Sequence, residues 1–301
     1  MRKSSSHARG GAPLVLAITV LMTAWLGSPA RAEAKKRVLY VGDSIAAETV
    51  DLVKSTLDDT GRAVTSYSVR GGSAICDYLS GETQRWLVKA ENTLRRRVAS
   101  DRPDLVILQF WGNSWQFTPC MNGYASGTTA YYLKYWTDAY AAIEDIRAGA
   151  ADASIAMPKV LWVLQGPNQG DPARSASLNQ FYTYVAGGDS KVYTVDAGRE
   201  VSQAANPFFS GDGRYEWTRF LPCRSDERNT PFCTEPQAFG GVTRLHKDSD
   251  ATHFCLGEQV SASGKNATGE PRTRCDPDKP SPGIRRYGLA IAGRAKDLLG
   301  I

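Results

Sequence analysis

The sequence predicts an α/β protein in which a parallel sheet is covered by helices on both faces, a three-layer sandwich. Three observations carry this. Short apolar runs alternate with helical patterns from Arg37 to Leu299. The run Leu105 to Phe110 is apolar apart from Gln109, as expected of a strand buried on both faces. No internal repeat or low-complexity linker breaks the alternation, and strands separated by helices imply parallel pairing.

The elements follow in order. Val38 to Val41 is a first strand. Ala46 to Asp59 is a helix, with Ala46, Val50, Val53 and Leu57 at near-helical spacing. Ala63 to Val69 alternates as a second strand. Thr83 to Ser100 reads as a helix stopped by Arg102-Pro103. Leu105 to Phe110 is the third strand and Thr129 to Ala148 a helix rich in Tyr and Trp. Val160 to Leu164, Ser175 to Val185 and Lys191 to Val195 continue as strand, helix and strand, and Ile284 to Leu299 closes the chain as a helix. Two stretches break the rhythm. Residues 206–248 are irregular and aromatic, with Phe208, Phe209, Tyr215, Trp217, Phe220, Phe232 and Phe239, and residues 255–280 are polar and bracketed by cysteines. Long loops in a compact domain are usually functional or disordered. Exposed rings in such a loop could stack on sugars, but most are expected to pack the loop itself.

The 301 residues are 42% hydrophobic and 22% charged, an ordinary globular composition. The formal charge of +5 is concentrated at the start, because Arg2, Lys3, Arg9 and Arg31 lie among residues 1–32 with no acid. The remainder carries a net of +1 and does not read as a nucleic-acid binder. Residues 1–32 read as a signal peptide: a basic start, an apolar run from Leu14 to Leu26, and Ala30-Arg31-Ala32 at the cleavage position. That run is short for a bilayer span, and no later stretch is apolar enough to be one. The expectation is a secreted or envelope-associated monomer, residues 33–301 forming one domain with insertions at 206–248 and 255–280.

Six cysteines in an exported chain imply three disulfides. Sequence alone allows fifteen connectivities. Proximity favours Cys223–Cys233 and Cys255–Cys275, which leaves Cys76–Cys120. Beyond the leader only His246 and His253 remain, so a three-histidine zinc site is excluded, and neither metal nor cofactor is expected.

Two short motifs carry chemistry. Gly42-Asp43-Ser44 lies between the first strand and the first helix. Ligand sites in parallel sheets lie at the carboxyl ends of strands, and a helix N-terminus favours negative charge. The same residues would also serve as a plain helix cap. Asp250-Ala251-Thr252-His253 places a carboxylate within reach of an imidazole. A serine hydroxyl needs a base, and an imidazole serves best when a carboxylate fixes its tautomer. A solvated loop histidine is the bland alternative.

Taken together, the motifs resemble the SGNH/GDSL hydrolase family. The resemblance runs through Gly42-Asp43-Ser44, a glycine in Arg70-Gly71-Gly72-Ser73, Asn113 in Phe110-Trp111-Gly112-Asn113-Ser114, and the C-terminal Asp250 to His253. It covers the chain from about Arg37 to Leu299. It implies a flavodoxin-like sheet and a serine esterase with Ser44 as nucleophile, His253 as base and Asp250 orienting it. It also implies an oxyanion hole formed by the Ser44 N–H, the Gly72 N–H and the Asn113 side chain; Gly71 also qualifies. The third block departs from the family pattern, since Trp111 takes the usual glycine position and Ser114 replaces an aspartate. A tryptophan there is expected to narrow the acyl pocket. The Cys255–Cys275 segment is inserted between His253 and the last helix, and a Cys76–Cys120 bridge would brace two oxyanion loops. The implied substrate is an acyl ester of a lipid or an O-acylated glycan. An acyltransferase acting on a cell-envelope sugar and a non-catalytic glycan-binding module are the competing readings.

Overall fold

The computed structural model describes residues 34–205, 215–265 and 271–301. The leader expected at 1–32 and the rings Phe208 and Phe209 lie outside them. Five strands, β1 (Lys36–Gly42), β2 (Ala63–Val69), β3 (Leu105–Gln109), β4 (Lys159–Val163) and β5 (Val192–Val195), form one sheet in the order β2-β1-β3-β4-β5. Every pairing is parallel. This is the flavodoxin-like order the motifs imply, and the strand order reverses between β1 and β3, the switch point at which such sheets bind ligands.

Helices cover both faces. Helix α1 (Ser44–Asp58) packs with α5 (Pro282–Leu299) on one side, over Val38, Tyr40, Leu105 and Ile107. Helices α2 (Leu94–Asp101), α3 (Thr129–Asp152) and α4 (Pro172–Gly187) pack on the other, over Leu39, Val41, Val106 and Leu108. All five residues of β3 are buried, the continuous apolar run of a strand covered on both faces. Local chemistry sets the helix ends. Asp171 caps α4 by accepting from the Arg174 N–H at 3.1 Å, and Arg102 ends α2 in a left-handed conformation (φ 51°) directly before Pro103.

The helix expected over Thr83 to Ser100 is shorter than its pattern. Residues 83–89 are irregular, and α2 begins only at Leu94. The Arg85 guanidinium donates to the carbonyls of Leu79 (2.9 Å) and Glu82 (2.7 Å), replacing helical bonds with side-chain ones.

All three expected disulfides form: Cys76–Cys120, Cys223–Cys233 and Cys255–Cys275. The two insertions carry antiparallel pairs of their own, β6 (Phe220–Pro222) with β7 (Val242–Arg244) and β8 (Gln259–Lys265) with β9 (Pro271–Cys275). The first is anchored by a buried ion pair. Arg286 on α5 donates to Glu227 (Nε to Oε1, 2.7 Å) and to the Pro222 carbonyl (2.8 Å). The second is anchored by Arg272, which bonds Asp51 of α1 and lies over the Tyr67 ring. No helix among the described residues is long and apolar enough to cross a membrane.

Candidate active site

Strands β1, β2 and β3 end level with one another, since Gly42 pairs with both Val69 and Gln109. The turns that follow them therefore meet. Gly42 must be glycine: a Cβ there would lie 2.1 Å from the Gln109 carbonyl oxygen and 2.5 Å from the Ala46 Cβ. This close approach sets Asp43 and Ser44 at the sheet edge. Asp43 caps α1 by accepting from the Ile45 N–H at 3.1 Å, and Ser44 is the first helical residue. The Ser44 N–H has no helical carbonyl to bond and is free to meet an anion.

Asp43 does more than cap. Its Oδ2 accepts the Trp111 N–H and lies 3.5 Å from the Asn113 Nδ2. Burial pushes its carboxyl up to about 6, against the pull of those N–H groups. Asn113 donates to the Ser73 carbonyl at 2.8 Å, and the Tyr135 hydroxyl holds the Asn113 carbonyl at 2.8 Å. Gly71 abuts Ser44, since a Cβ there would sit 3.8 Å from the Ser44 Cβ. Gly72 adopts φ +78° and faces Phe117 and Leu87 instead. Of the two glycines, Gly71 is the one beside Ser44. The Cys76–Cys120 bridge joins the loops after β2 and β3, and Asp77 reinforces it by accepting from Thr118 Oγ1 at 2.8 Å. Cys76, Asp77 and Cys120 are the one cluster of metal-ligating groups among the described residues, and both sulfurs are in the disulfide.

The histidine arrives from far along the chain. His253 Nδ1 lies 2.8 Å from Asp250 Oδ2, and Asp250 Oδ1 accepts the N–H groups of Thr252 (2.9 Å) and His253 (3.0 Å). An ionised carboxylate only accepts, so the proton sits on Nδ1 and Nε2 is left as the basic nitrogen. Burial works against charge on the ring, but Glu48 and Asp250 outweigh it and hold His253 above the ordinary histidine value. Asp250 stays below the usual carboxylate range: burial raises it, and the two N–H bonds and the imidazole overcome that. Ser44 Oγ and the imidazole are not hydrogen-bonded to each other here; in free enzymes such contacts often tighten only around the substrate.

Several supporting residues carry no signal in sequence. Glu48, one turn after Ser44, accepts the Phe254 N–H at 2.9 Å and so docks the histidine loop on α1. His246 Nδ1 bonds the His253 carbonyl at 3.0 Å. Burial pushes His246 down to about 4, so it is neutral and donates from Nδ1. Trp217 stacks on His246, and its indole N–H donates to the Ala251 carbonyl at 2.9 Å. Trp111 is buried edge-on against Phe254 and Tyr287, and so packs against the histidine loop. The rings of the first insertion mostly pack: Arg244 covers Phe220, Arg285 covers Phe232, and only Phe239 stands free among those described. The open rings near the site lie elsewhere, Trp115 (50% exposed) and Phe117 (48%) following directly on Asn113.

No protein-family model matches the chain, and no curated protein matches it. Solved structures do. The chain is similar to a carbohydrate esterase family 3 protein from Talaromyces cellulolyticus, at 13% identity and TM-score 0.49, over 88% of this chain and 98% of that one. It is similar to the C-terminal catalytic domain of peptidoglycan O-acetyltransferase A from Streptococcus pneumoniae, at 9% identity and TM-score 0.43, over 89% and 96%. A GDSL-like lipase from Bacteroides thetaiotaomicron matches at 18% identity and TM-score 0.35, over 61% and 80%. Proteins of the GDSL type are thus among those the chain is similar to, as its motifs imply, but at these identities none lends it a substrate.

Proposed function

We propose that the chain is an exported serine esterase of the SGNH/GDSL type. The observation that carries this reading is the Asp250–His253 pair held on the helix whose first residue is Ser44. Ser44 Oγ attacks the acyl carbonyl while His253 Nε2 takes its proton, and Asp250 steadies the imidazolium through Nδ1. The oxyanion is received by the N–H of Ser44, an N–H of the Gly71-Gly72 turn and the Asn113 amide. Gly71 is the better placed of the two glycines because it abuts Ser44. His253 then protonates the leaving alkoxide. Water, deprotonated by the same ring, releases the acyl group. Export is supported by the three disulfides, which persist in oxidising compartments.

On the alcohol side, the exposed Trp115 and Phe117 beside the oxyanion loops favour a sugar, since a flat exposed ring stacks on a pyranose face. The same observation supports the second reading, an acyltransferase in which a sugar hydroxyl replaces water. The test is hydrolysis of p-nitrophenyl acetate and longer esters by the mature protein beside Ser44→Ala, with an O-acetylated glycan and a free sugar acceptor in parallel. Turnover abolished in the variant is the expected result. Acyl transfer outpacing hydrolysis would establish the second reading. Glycan binding without turnover, unchanged in Ser44→Ala, would replace both with a binding module.

A further inference from the structure

Glu48 is nine-tenths buried, yet its carboxylate is poorly compensated. Oε2 accepts the Phe254 N–H at 2.9 Å, the Cys255 N–H gives the carboxylate a weaker pull, and Oε1 has no hydrogen-bond partner. Burying a carboxylate is costly, and a neutral carboxamide or carbonyl would receive the Phe254 N–H equally well. The charge is offset by something else. Glu48 lies four residues after Ser44, hence on the same face of α1, and the residue it binds is the neighbour of His253. The groups facing the His253 ring are Glu48 and Asp43 from α1 and its cap, and Asp250 and His246 from its own loop. His246 is neutral, and Asp43, turned to Trp111 and Asn113, acts on the ring less than Glu48 and Asp250 do.

We propose that Glu48 is a positioning residue for the base, seating the histidine loop through the Phe254 N–H and offering a second carboxylate to the imidazolium formed when His253 takes the Ser44 proton. This rests on the esterase reading above. The Ser44 O–H bond breaks, an N–H bond forms at His253 Nε2, and the oxygen keeps the electron pair for attack. The ring then carries a full positive charge between Asp250, bonded at Nδ1, and Glu48, acting through space. Burial pushes the Glu48 carboxyl up to about 7 and the His253 charge opposes that rise, so each group favours the charged form of the other.

The test is the titration of His253 followed by NMR of its ring, assigned with His253→Asn, in the parent, Glu48→Gln and Asp250→Asn. Glutamine keeps an acceptor for the Phe254 N–H and removes the charge. The expected result is a His253 midpoint lower by about half a unit or more in Glu48→Gln. The acid limb of kcat/KM moves the same way and kcat falls. Should Glu48→Gln not fold, Asp250→Asn decides: a midpoint still at or above the ordinary histidine value upholds Glu48, and a fall well below it overturns the assignment. An unchanged midpoint in a folded Glu48→Gln overturns it outright. If the parent shows no turnover but its His253 midpoint still moves with Glu48→Gln, the electrostatic role of Glu48 stands and the esterase reading falls.

Discussion

Asn113 has one amide and two tasks. One of its hydrogens is committed to the Ser73 carbonyl at 2.8 Å, while the approach to Asp43 at 3.5 Å is long enough to be exchanged for an oxyanion. Asn113→Ala is therefore expected to lower kcat by about 100- to 1000-fold with little change in KM, read by steady-state kinetics. A kcat within about threefold of the parent would remove Asn113 from the oxyanion hole. At this scale the candidate groups were readable and the residues that support them were not. Ser44, Asp250 and His253 carry spacing that means something chemically. Glu48 reads as the solvated face of an amphipathic helix, and His246 bonds a backbone carbonyl, a partner that leaves no trace in sequence. Trp111 was legible as a departure but not as a support, because what decides its role is the aromatic ring of Phe254 beneath the histidine loop.

Between elements, the Cys76–Cys120 bridge ties the turn after β2 to the turn after β3 across 44 residues of sequence. Loop-closure entropy for that span corresponds to about 3–4 kcal/mol. Replacing both cysteines by serine is expected to cost about that much in urea unfolding, and to lower kcat at temperatures where the protein remains folded, because Asn113 and the glycine turn lose their common anchor. Lost stability with an unchanged kcat would make the bridge structural only. The elements themselves were legible wherever a strand is wholly buried or a helix has a periodic apolar face; β2 has the bounds its alternation predicts. The stretch before α2 was not, because Arg85 satisfies carbonyls that a helix would otherwise have used. The insertions gave only their cysteines. Their short strands pair across gaps that no local pattern announces.

For the whole molecule, buried ionisable groups set opposite demands for stability and activity. Burial raises Asp43 and Asp138 to about 6 and Glu48 to about 7, and His253 is raised by its carboxylate neighbours despite burial. A group raised on folding contributes stability that is present below its unfolded value and lost as pH rises through its folded value. His246, depressed to about 4 by burial, acts in the other direction, its contribution being lost as pH falls through that value. Burial raises Asp77 and Asp196 as well, and the depressed carboxylates, Asp250 among them, lose their contribution only on the acid side of the ordinary carboxylate value. The melting temperature is expected to rise as pH is lowered from about 8 to about 5, then to fall below about 4. The proposed reaction needs neutral His253, so kcat/KM should climb over the range in which the fold weakens. Melting scans with parallel rate profiles check both, and a melting temperature highest at pH ~8 would refute the account.

The hydrogen bond from the Phe254 N–H to Glu48 spans 206 residues of chain. A ribosome adds about 5–20 residues each second, so about 10–40 seconds separate the synthesis of the α1 start from that of the histidine loop. Throughout that interval the helix bearing Ser44 exists with no imidazole to activate it. On the proposed reading, a chain interrupted before His253 holds the helix of Ser44 but lacks its base and is inert.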